Sequence, residues 1–391
     1  MRYTPEMEPA VTLTSGPVNA YPDVLRGLGR TVLYDYDPAF QRLYEQVVEK
    51  AQVAMRTETR PVILQGEPVL GLEAAAASLI APEDVVLNLV SGVYSKGFGY
   101  WAKRYSPNVL ELEVPYNEAV DPAAVAEMLK AHPEITVVSA CEHDTPSGTI
   151  NPIEEIGTLV RAHGAYLIVD AVSSFGGMRT HPEDCRADIY VTGPNKCLGA
   201  PPGLTMLGVS GRGWDKMKAN ANAPRASILS ILDWENAWSR EEAFPFTPSV
   251  AEINGLDVAL DLYLGEGPEK VWERHALTAA ATRAGVTAMG AALWAARETI
   301  ASPTTTAVRT PEGIDEAELR RVARERYGVV FSSGRAETQG KLTRIGHMGP
   351  TAQPIFAVAA VTALGGALNA LGGTANVGRG VEAALAVIDA A

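Results

Sequence analysis

The sequence predicts an α/β protein: a large domain built on a seven-stranded, mostly parallel sheet covered by helices, and a smaller α+β C-terminal domain. Three observations predict it. From about residue 61 to 208, short apolar runs of strand type alternate with longer segments of helical period, the pattern of a parallel sheet with helical crossovers. After Trp238 the texture changes to the proline-rich FPFTPS (244–249), a long helical pattern and three further strand-like runs. The length of 391 residues corresponds to two or three domains at about 150 residues each. The large domain is expected at 16–260, and the small one at 261–391 together with the N-terminal segment 1–15.

The strands of the large domain are expected at PVILQ (61–65), VVLNLV (85–90), VLELEV (109–114), ITVVSA (135–140), YLIVD (166–170), DIYVT (188–192) and GLTMLGV (203–209). Helical patterns lie between them at about 69–80, 121–131 and 152–163. The second and third follow Asp121-Pro122 and Asn151-Pro152, where a capping residue precedes proline at the first helical position. The last strand starts with Gly203 after Pro201-Pro202, and its direction stays open. Beyond Trp238 the helical pattern runs to about 290. TTTAVRT, GVVFSS and KLTRIGHMG then read as strands separated by helices, and the Ala/Gly-rich 352–391 reads as helical packing material. The run ELRRVARER (318–326) alternates acid and base at helical spacing, which describes a solvated helix face rather than a basic patch.

Composition narrows the function. With 47% hydrophobic and 20% charged residues the chain is globular. The 33 basic and 46 acidic residues leave a net charge of −13, which repels a phosphate backbone, so nucleic acid is not an expected partner. Cys141, Cys185 and Cys197 have no metal-ligand spacing and read as thiols in a reducing compartment, the cytoplasm. The N-terminal MRYTPEMEPA lacks a signal-peptide pattern, and the longest apolar stretch, 354–368, falls short of the ~18 residues that suggest a membrane span. No membrane association is expected. The six histidines form no ligand pair at helical spacing, and no metal is expected.

Two residues stand out chemically. Asp170 closes the strand YLIVD, and ligands of parallel sheets sit at the carboxyl ends of the strands. Lys196 follows DIYVT by four residues in a loop rich in glycine and proline. An amine and a carboxylate in one crevice suit a Schiff base with a pyridine aldehyde: the lysine forms the imine and moves a proton, while the carboxylate keeps the ring nitrogen protonated. An ion pair at a strand end explains the same two residues.

The motifs TSGPVN (14–19), DAVSSFGG (170–177), TGPNKCLGAPPGL (192–204) and LTRIGHMG (342–349) resemble the class V aminotransferases of the fold-type I pyridoxal 5′-phosphate enzymes, over nearly the whole chain. The resemblance implies a homodimer or homotetramer with active sites at the subunit boundary. It makes Lys196 the Schiff-base lysine, Asp170 the partner of the pyridine nitrogen, Val172 the residue under the ring and Tyr94, in SGVYSKG, the stacking aromatic. It makes Arg344 the residue that pairs with the substrate carboxylate, a role suited to a planar guanidinium.

The departures from the family concern one subsite. Where most members cradle the cofactor phosphate with backbone N–H groups of a small-residue loop, this chain reads Gln65-Gly66-Glu67-Pro68. Pro68 has no N–H to give. Glu67 adds negative charge where a phosphate dianion would sit; like charges ~4 Å apart at an effective dielectric of about 20 cost roughly 4 kcal/mol before screening. A commonly phosphate-binding glutamine is replaced by Asn195, and the tyrosine of the family's Tyr-x-x-Thr-Pro element by Phe244, before Thr247-Pro248. The bound ring is therefore expected to carry a neutral hydroxymethyl group that donates to Glu67. Glu67 also suits the first turn of a helix through the dipole, but that leaves the missing donors unexplained.

Within the family, PVILQGEPVLGLEAAAASLI (61–80), HDTPSGTINPI (143–153) and SPTTTAVRTP (302–311) resemble members whose substrates are pyridoxamine and pyruvate, giving pyridoxal and L-alanine. By that resemblance Thr145 lies near the ring 3′-oxygen and Arg335 joins Arg344. No separate cofactor is then expected, the vitamer itself being the substrate held on Lys196. Two alternatives stay open: an alanine- or serine-glyoxylate aminotransferase with resident pyridoxal 5′-phosphate, and a non-catalytic pyridoxal-binding protein.

Overall fold

The structure is a computed structural model and describes residues 10–239 and 244–391. Residues 1–9 of the expected small-domain segment lie outside the described residues. The chain opens on β1 (Val11–Leu13), α1 (Pro22–Leu28) and α2 (Pro38–Met55). It continues through β2 (Val62–Gln65), α3 (Pro68–Leu79), β3 (Val85–Val90), α4 (Val93–Tyr105), β4 (Asn108–Glu113), α5 (Pro122–Ala131) and β5 (Ile135–Cys141). Next come a short ribbon of β6 (His143–Asp144) and β7 (Thr149–Ile150), then α6 (Ile153–His163), β8 (Tyr166–Asp170), β9 (Ile189–Thr192), β10 (Leu204–Val209) and α7 (Gly211–Ala219). The C-terminal part holds α8 (Val250–Glu266), α9 (Pro268–Ala288), β11 (Thr305–Arg309), α10 (Glu316–Tyr327), β12 (Val329–Ser333), β13 (Leu342–Gly346), α11 (Pro354–Ala370) and α12 (Val377–Asp389).

All seven expected strands form one sheet, in the order β2-β10-β9-β8-β5-β3-β4. The pairs β3/β4, β3/β5, β5/β8 and β8/β9 are parallel. The direction left open is antiparallel: β10 runs against both β2 and β9. The connection 193–203 contains no helix and is too short to cross over, so the chain turns back beside the strand it has just left.

Helix α3 lies close on this sheet because its small residues allow it. The run Ala74–Ala77 is buried, and a Cβ at Gly71 would come within 2.2 Å of the Thr205 side chain on β10. Helix α4, like α1, α2 and α7, is not among the helices the sequence predicts. Its buried positions, Ser95, Phe98, Gly99 and Ala102, have the i, i+3, i+4, i+7 spacing of a buried face, but three of the four are not apolar enough to mark a hydrophobic stripe. Asp121 caps α5 as expected, accepting from Ala123 N–H at 2.9 Å. Asn151 does not cap α6; it accepts from Val120 N–H and donates to Ser91 Oγ and Cys141 O, tying together loops at the strand ends. The long pattern to 290 is two helices broken at Gly267-Pro268, where Gly267 has φ 95°.

A second sheet has the order β1-β12-β13-β11, with β1 parallel to β12 and the other pairs antiparallel. Leu13 of β1 shares a core with Val286, Phe331, Ile345, Val361 and Leu364, so the start of the chain packs with its end. The expected division at 260/261 falls inside α8, whose Ile253, Leu256 and Leu260 belong to the core of the first sheet. Among the described residues, no helix is long and apolar enough to cross a membrane. The three cysteines are free and buried.

Candidate active site

The carboxyl ends of the sheet strands gather the residues singled out above. Glu67 follows β2, Tyr94 follows β3, Thr145 lies in the turn between β6 and β7 beyond β5, Asp170 ends β8 with Val172 beyond it, and Lys196 follows β9. Strand order reverses beside β3, with β4 on one side and β5, β8 and β9 on the other, and open α/β sheets form their ligand crevice at such a reversal. The two arginines come from the second sheet: Arg344 lies in β13, opposite Ala307 and Ser332, and Arg335 follows β12.

Lys196 sits in a turn closed by Gly199 N–H to Lys196 O and Ala200 N–H to Pro194 O. Its Nζ donates to Ser15 O at 2.5 Å. Ser15 is in turn held on the second sheet, its N–H donating to Ser332 Oγ at 3.0 Å. Gly16 makes this contact possible: a Cβ there would lie 2.0 Å from Nζ. Burial pulls the Lys196 amine down to about 8, the Arg344 charge adds to the effect, and Cys197, Asp170 and Glu67 oppose it.

Asp170 is half-buried, and its Oδ1 accepts from Val172 N–H at 3.0 Å. Withdrawal from water pushes its carboxyl up to about 6; the Val172 N–H works against this, Asp144 adds to it by repulsion, and Lys196 eases it by attraction. Thr145 is buried with Oγ1 2.5 Å from Ser173 Oγ. Tyr94 is partly exposed in the first turn of α4 and, with Ser95, Cys141 and Asp170, lines a small cavity. The guanidinium of the exposed Arg335 lies 5.8 Å from the centre of the Tyr94 ring, within cation–π range. Arg344 is only 8% exposed and donates through Nε to Ser333 O at 2.7 Å. Burial lowers its pKa, Arg335 adds to this, and Tyr94 and Asp144 act against it. These groups are electrostatic neighbours: Lys196 feels the charges of Arg344 and Asp170, and Arg344 those of Tyr94 and Arg335.

The turn before α3 offers acceptors. Gly66 N–H is engaged by Gly203 O at 2.9 Å, and Pro68 occupies the first helical position. The Gln65 side chain donates to Thr247 O at 2.7 Å. Glu67 is exposed and makes no cap to its own helix, and the buried Asn195 Oδ1 has no hydrogen-bond partner among the described residues. Phe244 packs inward, its ring 5.8 Å from Phe40 and 5.0 Å from Tyr44.

Two features of the site had no signal in the sequence. Ser15 O is a backbone acceptor brought in by β1, and Asp144 is a fully buried carboxylate whose Oδ2 accepts from Tyr94 and Ser95 N–H. Both act across long sequence separations, and neither residue type announces the contact.

The model of the class V aminotransferases matches residues 69–351, and the chain belongs to that family of pyridoxal 5′-phosphate-dependent transaminases. It is 80% identical over 390 residues to the pyridoxamine–pyruvate transaminase of Mesorhizobium japonicum, a match covering 100% of this chain and 99% of that one. The crystal structure of pyridoxamine-pyruvate aminotransferase from Mesorhizobium loti superposes with a TM-score of 0.98 at 79% identity, covering 100% of both chains. That of the ureidoglycine-glyoxylate aminotransferase from Bacillus subtilis gives 0.91 at 29% identity, covering 97% of each.

Proposed function

We propose that this aminotransferase interconverts pyridoxamine plus pyruvate with pyridoxal plus L-alanine, the unphosphorylated vitamer being a substrate rather than a resident cofactor. The observation that carries the reading is the set of groups before α3. A phosphate dianion needs donors, whereas this turn has a proline without N–H, a glycine N–H already bonded and a carboxylate, and the loop after β9 adds the unpartnered amide oxygen of Asn195. A 5′-hydroxyl can donate to Glu67 or Asn195. Phe244 supports the same reading, because its apolar ring is sequestered among other aromatics. The full-length likeness to the Mesorhizobium japonicum transaminase supports the choice of substrates.

When bound, the pyridine aldehyde condenses with amines, and its protonated ring accepts the electron pair left on an adjacent carbon. The residues of this chain do the rest. Lys196, partly neutral near its lowered pKa, supplies the nucleophilic amine and carries the proton between the substrate α-carbon and the pyridine C4′. Asp170 holds the proton on the ring nitrogen. Val172 and Tyr94 enclose the ring, and Thr145 lies by its 3′-oxygen. Arg344 pairs with the carboxylate of pyruvate or alanine, assisted by Arg335. The exposed apolar side chains Val32, Tyr34, Tyr36 and Tyr100 support a homodimer or homotetramer, and the buried free thiols support the cytoplasm.

The test is to titrate the apoprotein with pyridoxal and with pyridoxal 5′-phosphate by absorbance, then add L-alanine. Pyridoxal is expected to bind more tightly and to be converted to pyridoxamine; tighter binding of the phosphorylated form would establish a resident cofactor instead, the glyoxylate-aminotransferase arrangement. Because both substrates occupy the site together, initial rates are expected to give intersecting lines, and a parallel-line pattern would overturn this. Glu67→Ser removes the negative charge and adds a hydroxyl donor. Since Glu67 is exposed, solvent reduces its effect, and the affinity ratio is expected to move toward the phosphorylated form by about tenfold. An unchanged ratio would remove Glu67 from the specificity assignment.

A further inference from the structure

We propose that Asp144 is a positioning residue: its buried carboxylate fixes the first turn of α4 and, through it, the ring of Tyr94. The proposal rests on the assignment of Tyr94 as the aromatic that stacks on the bound ring. Asp144 is 0% exposed. Its Oδ2 accepts from Tyr94 N–H at 2.9 Å, Ser95 N–H at 3.0 Å and Ser95 Oγ at 3.1 Å. Ser95 Oγ also accepts from Ser91 N–H at 3.0 Å and Gly92 N–H at 2.9 Å, so a single carboxylate oxygen organises the whole turn from 91 to 95.

The arrangement differs from ordinary capping, in which the residue at the start of the helix supplies the acceptor. Here that position is Gly92, which has no side chain, and the acceptor arrives from a ribbon some fifty residues later in the chain. The glycine is required by the carboxylate itself, since a Cβ on Gly92 would lie 2.3 to 2.6 Å from the carboxyl carbon and both oxygens of Asp144. A buried carboxylate is costly to desolvate; the amides of the helix start offset part of the cost through Oδ2, while Oδ1 has no partner among the described residues. The same charge acts on Asp170 and Arg344, so Asp144 borders the ring site and the carboxylate site together.

The test is a double-mutant cycle on the dissociation constant for pyridoxal, measured by absorbance at pH 8, where the Asp144 carboxyl, pushed up by burial to about 6, is ionised. Asp144→Ala and Tyr94→Ala are each expected to weaken pyridoxal by about tenfold. In the Tyr94→Ala background the Asp144→Ala change is expected to add less than about twofold. Asp144→Asn keeps an acceptor oxygen and is expected to recover to within about threefold of the wild type. Gly92→Ala displaces the carboxylate from the other side and is expected to reproduce Asp144→Ala; it carries the cycle if that variant does not fold. Multiplying losses in the double variant, or pyridoxal binding unchanged in Asp144→Ala and Gly92→Ala, would overturn the proposal. If the wild type binds pyridoxal 5′-phosphate more tightly, the substrate reading fails, and the same cycle run with that compound still tests Asp144.

Discussion

Replacing Lys196 with alanine is expected to lower kcat by about 10⁴-fold or more, because in the proposed mechanism one side chain supplies both the nucleophilic amine and the proton carrier. The partial return of activity with added methylamine would identify the loss as that of an amine at this position rather than a general disturbance. The wild-type pH profile is the companion measurement. A lysine with its ordinary pKa would be nearly all ammonium at neutral pH, without a lone pair. Burial and the Arg344 charge bring the Lys196 amine down to about 8, against the pull of Cys197, Asp170 and Glu67. The sign follows: protonation blocks attack, so pyridoxal capture should rise with pH and level off above about 8. A variant without Lys196 that retains more than about a tenth of the activity, or a flat capture profile from pH 6.5 to 8.5, would remove the lysine from this role.

Asp170→Asn is expected to reduce kcat by about 10³-fold while leaving pyridoxal affinity within about tenfold of the wild type. The amide keeps an acceptor oxygen for Val172 N–H, which Asp170 Oδ1 now receives at 3.0 Å, so the turn survives. What disappears is the negative charge that, in the proposed mechanism, stabilises a proton on the ring nitrogen, and that charge matters most when the ring has taken up electrons. The carboxyl is pushed up to about 6, chiefly by burial. Activity that depends on its ionised form should therefore fall as pH drops through about 6, a limb the Asn variant lacks. Equal losses in binding and turnover would indicate a structural role instead.

The strands of the large sheet were legible because each is a short apolar run bounded by polar or glycine-proline segments, and burial within one sheet requires little beyond that pattern. Strand direction was not: β10 turns back because its connection is short and helix-free, a property of the chain path rather than of its residues. Helix α4 escaped notice because serine, glycine and alanine make up most of its buried face. Asn151 has the residue type of a cap, yet its three hydrogen bonds go to neighbouring loops, since competing donors and acceptors in space outrank the adjacent helix end.

The same distinction runs through the site. The sequence by itself determined which chemical groups occur at the strand ends. Residue type and position next to a strand mark Lys196 and Asp170, while the resemblance to the class V aminotransferases is what singles out Arg335 and Arg344 and, before α3, Glu67 and Pro68. Only the tertiary structure decided how reactive and how well placed those groups are. The contact of Lys196 with Ser15 O, the approach of Arg344 from the second sheet and the grip of Asp144 on α4 join segments far apart in sequence. The physical reason is that burial and neighbouring charge set an amine's proton affinity, and both are properties of the folded chain.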